Sequence, residues 1–259
     1  MASAFDDLVR LVPYVLLVSV RVGAAIASLP APFGSLAPNQ VRAALGLFVS
    51  IALALPHPEA ADTIHLDPLW MAGAALGEGL VGAAIGLVAR LCLAAAEAAG
   101  EIISGSMGMG FAQQFDPTLG GESSVVGRVL TQLAVLVFFA MQGHHAVIAG
   151  LARSLEAAPV GAAWNGTVMV HALDLGRDLV AAGLRIASPV MGTMLIVQLG
   201  VALTARAAPR LQVFSISYAI AASVGMLILV IAAPTLAEAI AAHVRDVPER
   251  IAALLSAPL

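Results

Sequence analysis

Six apolar stretches, at residues 8–29, 41–55, 69–96, 125–151, 186–205 and 213–242, are the strongest constraint on what this chain can become. A helix needs about 20 apolar residues to cross the hydrocarbon core of a bilayer. Four stretches exceed that length, 186–205 just reaches it, and 41–55 is short. Polar material between them is thin. Charged residues are 11% of 259, where a soluble domain carries about 25%. So few charges cannot wet the surface of a water-soluble domain. The expected fold class is therefore all-α, an integral membrane protein built of helices.

Composition narrows the chemistry as well. All twelve basic residues are Arg, which removes a P-loop lysine and a Schiff-base lysine. Aromatics at 5% are too few for the two aromatic girdles of an outer-membrane barrel. Cys92 is the single cysteine, so neither an intrachain disulfide framework nor a multi-Cys zinc site can form. A formal net charge of −4 offers no basic field to nucleic acid.

The connections carry an orientation signal. Segment 56–68 has Glu59, Asp62 and Asp67 and no Arg, whereas 206–210 has Arg206 and Arg210 and no acid. The positive-inside rule places 206–210 in the cytoplasm. Counting six regular spans outward then puts 56–68 and both termini outside, with 104–124 on the cytoplasmic side. Asp6 and Asp7 stand where a signal peptide would be basic, so the first stretch is read as a retained span.

The third stretch is the most informative. At 100° per residue, Gly73, Gly77 and Ala84 fall on one side and Gly79, Gly82 and Gly86 on nearly the other. Small residues let helix backbones approach closely in lipid, so this helix reads as sandwiched between two neighbours, although glycine is also common in membrane helices generally. Arg90, Glu97 and Glu101 form one polar stripe further along, read as a solvated helix end. Glu78 lies deeper among small apolar residues. Arg21 is near the middle of the first stretch, where a lipid-facing Arg costs about 2.5–3.5 kcal/mol on insertion scales. Arg21 and Glu78 together argue for a packed assembly. Gln132, Gln142 and Gln198 fit polar contacts between helices.

No constellation of catalytic residues emerges. His144 and His145 are adjacent, point about 100° apart on a helix, and belong to no His-Glu-x-x-His pattern. Ser104-Gly105-Ser106-Met107-Gly108 has Ser104 where a nucleophile elbow needs its first glycine. Nothing calls for a cofactor or a metal.

Segment 104–124 is the unusual element. Gly105, Gly108, Gly110, Gly120 and Gly121 give it freedom, while Met107, Met109, Phe111 and Phe115 make it apolar. Methionine adapts to irregular surfaces. Irregular backbone at membrane depth survives only when buried in protein or lining a cavity. A loop filling a pore meets both conditions, and so does an interfacial or re-entrant loop.

Three runs carry a resemblance to a known family. They are 107–117 (Met-Gly-Met-Gly-Phe-Ala-Gln-Gln-Phe-Asp-Pro), 123–130 (Ser-Ser-Val-Val-Gly-Arg-Val-Leu) with Gln142-Gly143-His144, and 206–214 (Arg-Ala-Ala-Pro-Arg-Leu-Gln-Val-Phe) followed by Gly225. With the order of apolar stretches, they resemble the FliR family of type III secretion export-gate proteins. Members commonly have Gln at the place of Arg210 and Asn at that of Gln212. They also carry a Lys early in the last apolar stretch, and often an acidic residue near Gln198, neither of which this chain has.

The resemblance implies a non-enzymatic core subunit of the export gate, in the bacterial inner membrane at the flagellar basal body. FliR-like chains assemble with FliP and FliQ subunits, contact FlhB and FlhA, and pass unfolded export substrates. It implies helical hairpins packed in a hetero-oligomer in place of a simple six-span bundle, with 1–185 FliP-like and 186–259 a FliQ-like hairpin. It also implies a channel plug at 104–124, with Met107, Met109, Phe111 and Phe115 sealing and Asp116-Pro117 setting the turn. Arg206, Pro209, Arg210 and Phe214 would mark the cytoplasmic hairpin tip. The injectisome counterpart shares this architecture. A small transporter using Arg21, Glu78 or Gln198 is the reading from another class, and an intramembrane hydrolase using Ser106 or His144 a distant third.

Overall fold

The computed structural model describes residues 2–29, 38–109, 124–162, 167–207 and 213–256, and every α-helix among them except Val247–Ser256 overlaps an apolar stretch. The helices are α1 (Ala2–Ser28), α2 (Asn39–Ala54), α3 (Pro68–Ser106), α4 (Val125–Ala140), α5 (Gly143–Ala157), α6 (Thr167–Ala207), α7 (Val213–Arg245) and α8 (Val247–Ser256), with a 3₁₀ turn at Pro58–Thr63. The described residues contain no strand. The all-α expectation holds.

The six-stretch pattern resolves into fewer crossings. Four described helices are long and apolar enough to span a membrane, and five segments are if the broken pair α4 and α5 counts as one. At 1.5 Å per residue the 16 residues of α2 reach about 24 Å, short of the ~30 Å hydrocarbon core. The side on which the N-terminus lies therefore turns on whether the broken pair crosses. The 39 residues of α3 run about 58 Å, nearly twice the core of about 30 Å. A substantial part of α3 must lie outside the hydrocarbon or be strongly tilted.

The chain packs as two compact units, each assembled from separate stretches. The first holds 1–91, 142–176 and 246–259. Its α1 buries Tyr14, Leu17, Val18, Arg21, Val22 and Ala25, a face of helical period. That face meets α3 at Gly82 and Gly86. A β-carbon on Gly82 would stand 1.9 Å from the Arg21 carbonyl oxygen, so only glycine permits this approach of two backbones. The face predicted from Gly79, Gly82 and Gly86 is thus the α1 contact. On the opposite face Gly73 has nothing within 4 Å of a notional β-carbon. In the same unit α8 places Val247, Ile251 and Leu254 inward, with Ile251 against Gly150 of α5.

The second unit holds 92–141 and 177–245. Its α3 residues include buried Ala95, Ala96, Ala99 and Ile103, and Gly183 of α6 lies against Ala95 and Ala98. α4 buries Val126, Gly127, Leu130, Ala134 and Phe138 and contacts α7. Leu195, Ile196, Leu199 and Leu203 of α6, and Leu227, Val230 and Ile231 of α7, remain exposed on this chain. Such apolar faces require lipid or partner helices.

Candidate functional site

The central segment predicted as a plug is held at both described ends within the second unit. At its start, Gln198 of α6 donates from Nε2 to the Ser106 carbonyl at 2.5 Å. Met107 follows, fully buried, and packs against α7 at Gly225. A β-carbon there would come within 2.6 Å of Met107 Cγ, so glycine makes the room the methionine fills. Gly108 then takes φ 76°, a left-handed conformation natural to glycine, and the Met109 N–H returns to the Ser104 carbonyl at 3.1 Å. The chain thereby leaves α3 by a hydrogen-bonded turn.

The far end is tied by Ser124. Its hydroxyl accepts from the Gly127 N–H at 2.9 Å, capping α4. The Ser124 N–H donates to Glu101 Oε1 at 2.5 Å. A carboxylate at a helix N-terminus is also favoured by the helix dipole. Glu101 was read from sequence as part of a solvated stripe; it is exposed, as Arg90 is, and it also makes this anchoring contact. The sequence signal was present in Ser124 ahead of an apolar run, but its link to Glu101 was not. Phe111, Phe115, Asp116 and Pro117 lie outside the described residues.

The first unit contains the buried charges. Arg21 Nε donates to Glu78 Oε2 at 2.5 Å. Its Nη1 donates to Ser154 Oγ at 3.0 Å and its Nη2 to the Ala158 carbonyl at 2.8 Å. Glu78 Oε1 accepts from the Gly161 N–H at 3.2 Å. Arg21 is 1% and Glu78 3% exposed. Gly161 has φ 80° and lies so near Trp70 that a β-carbon would fall 2.5 Å from its ring. Ser154, Ala158 and Gly161 were not singled out from sequence, because serine, alanine and glycine carry no mark of such a role.

The remaining residues scatter. Gln132 is exposed on α4. Gln142 is exposed at the break between α4 and α5, with φ 59°, so it serves as the residue where one helix stops. Arg206 is exposed in the last turn of α6. Pro209 and Arg210 lie outside the described residues, and Phe214 is described only as backbone in the first turn of α7. His144 and His145 have ring centroids 4.3 Å apart, and no group of three metal-ligating side chains occurs among the described residues.

Long apolar helices with a saturated internal ion pair define the class: an α-helical integral membrane protein. Residues 12–247 match the family described as Bacterial export proteins, family 1, and the chain belongs to that family. It is 32% identical to the flagellar biosynthetic protein FliR of Pectobacterium carotovorum over 81% of this chain and 80% of that one. It is 28% identical to FliR of Escherichia coli K12 over 84% and 83%. A Yop proteins translocation protein T from Yersinia pestis is 31% identical over 60% of each chain.

Proposed function

We propose that this chain is a core subunit of the type III protein-export gate, serving flagellar assembly in the bacterial inner membrane. The carrying observation is that a family match across 12–247 coincides with a central segment tied at both described ends, by Gln198 and Gly225 at one and Glu101 at the other. A Gly/Met/Phe segment held between two fixed posts suits a plug that closes a channel until a substrate displaces it. Met107, Met109, Phe111 and Phe115 supply the seal, and Asp116-Pro117 the turn. Arg206, Pro209, Arg210 and Phe214 mark the cytoplasmic tip.

The partners in this reading are FliP and FliQ subunits in a hetero-oligomer, with FlhB and FlhA of the export apparatus. Segment 1–185 corresponds to the FliP-like part and 186–259 to the FliQ-like hairpin. That division concerns likeness to the partners, not the two packing units. The uncovered apolar faces of α6 and α7 and the length of α3 support it, since partner helices can cover what extends beyond the membrane. The role is not enzymatic: the residues do no chemistry, and the segment opens and closes.

Deleting 110–120 in the assembled complex is expected to let ions leak across the inner membrane, read as conductance in planar bilayers. A deletion complex as tight as the parent would sink the plug assignment. The injectisome reading has its own support in the Yop translocation relative. Loss of motility on gene deletion, with virulence secretion intact, decides for the flagellar branch. A small-solute transporter using Arg21 and Glu78 is less suited to the structure, because hydrogen bonds within the protein engage all three guanidinium nitrogens and both carboxylate oxygens.

A further inference from the structure

Between α1 and α2, in the first unit, lies a groove that the export reading leaves unused. One cavity of about 360 Å³ is bordered by Ser19, Gly23, Asn39 and Arg42. A second of about 470 Å³ is bordered by Leu11, Val15, Leu16, Ile51 and Leu55. Ser19 and Leu47 border both, so the two form one groove, polar at one end and aliphatic at the other.

Arg42 stands at the polar end. Its Nε is buried and has no hydrogen-bond partner, a costly state for a charged donor. Among the described residues no carboxylate borders either cavity, and the sequence has no Asp or Glu between Asp7 and Glu59. Arg21, the preceding cation, is already matched to Glu78. Arg42 also occupies the first turn of α2, where the helix dipole disfavours a cation and favours an anion. The site therefore lacks a negative charge that its own segment does not supply.

We propose that this groove binds an anionic phospholipid, its phosphate at Arg42 and one acyl chain along the aliphatic end. From Arg42 to Leu55 α2 runs about 20 Å, the reach of a common membrane acyl chain. Val12, Leu16 and Leu47, each more than half exposed, open the aliphatic end toward lipid.

The test uses the intact protein in its detergent-solubilised complex, moved into phosphatidylcholine nanodiscs containing phosphatidylglycerol with a photoactivatable acyl chain. Labelling is expected on peptides 11–16 and 47–55. Unlabelled phosphatidylglycerol should compete, while inorganic phosphate and phosphatidylcholine should not. Arg42→Gln should weaken labelling about tenfold, the scale of one charge-assisted contact, and Arg42→Lys should retain most of it. Equal labelling by a phosphatidylcholine probe overturns the proposal, as does competition by inorganic phosphate, which would mark a small-anion site. Cross-linking of these peptides to a partner subunit in place of lipid also overturns it. Should Arg42→Gln fail to fold, the probe and competition results on the unaltered protein decide. None of these outcomes depends on the plug.

Discussion

Arg21 of α1 and Glu78 of α3, 57 positions apart in sequence, meet in an ion pair 2.5 Å long that is closed to solvent. Around it Ser154, the Ala158 carbonyl and the Gly161 N–H complete the hydrogen bonding. One contact set thus joins α1, α3, α5 and the turn that follows α5. A buried pair contributes little net stability against an apolar replacement, but removing one partner strands the other charge.

Glu78→Ala should therefore destabilise the first unit by about 3–5 kcal/mol. Arg21→Met combined with Glu78→Met should cost clearly less than the two single changes added together. Thermal unfolding of the purified protein in detergent measures both. Strict additivity would show that the pair is not coupled as its geometry implies.

The α1–α3 crossing makes a second prediction with an internal control. Gly82→Ala places a methyl 1.9 Å from the Arg21 carbonyl oxygen, and backbone cannot yield as a side chain does. Overpacking of this kind costs about 1–3 kcal/mol or more, so the yield of folded protein should fall sharply. Gly73→Ala, with open space around it, should be neutral or slightly favourable, since alanine forms helix better than glycine by about 1 kcal/mol. Equal yields of the two variants would refute the crossing.

Ser124→Ala removes the cap of α4 and should cost about 1 kcal/mol. Glu101→Gln keeps an acceptor but not the charge, and should cost less than Glu101→Ala. Hydrogen exchange at the first turn of α4 reads this directly: Ser124→Ala should speed exchange at Gly127, whose N–H it frees. Unchanged protection there would mean that the hydroxyl is not the acceptor.

How far the sequence revealed this structure depends on which interaction decides each feature. The apolar stretches became helices because hydropathy sets what can be buried. The spacing of Gly79, Gly82 and Gly86 marked one of two sides open to close packing, but not that α1 is the neighbour there or that Gly73 on the other side meets nothing within 4 Å. Arg21 and Glu78 stood out because an unpaired charge there is costly, yet their pairing with each other was illegible. Their partners lie up to 137 positions away, and three of them offer only a backbone group or a serine. The continuation of α3 as far as Glu101 was legible in its polar stripe, but residues 104–106, read as the start of the loop because of their Ser and Gly, form the last turn of the helix. Stretch 125–151 looked continuous because hydropathy does not register Gln142 turning left-handed ahead of Gly143.

Met107 and Gly225 make the sharpest prediction about closing. Gly225→Val would put branched carbon where Met107 Cγ now lies 2.6 Å from a notional β-carbon, and would push the methionine out of its seat. Met107→Ala would instead leave a void, costing about 2–5 kcal/mol of local packing. The two changes act in opposite steric senses but free the same end of the central segment. Both should raise ion conductance of the assembled complex in planar bilayers, and Gln198→Ala, which removes the donor to the Ser106 carbonyl, should do so more weakly. A leak from Gly225→Val alone would point to distortion of α7, whereas a leak shared with Met107→Ala assigns the effect to the seat. If neither variant leaks while each still assembles, this anchor does not hold the channel shut.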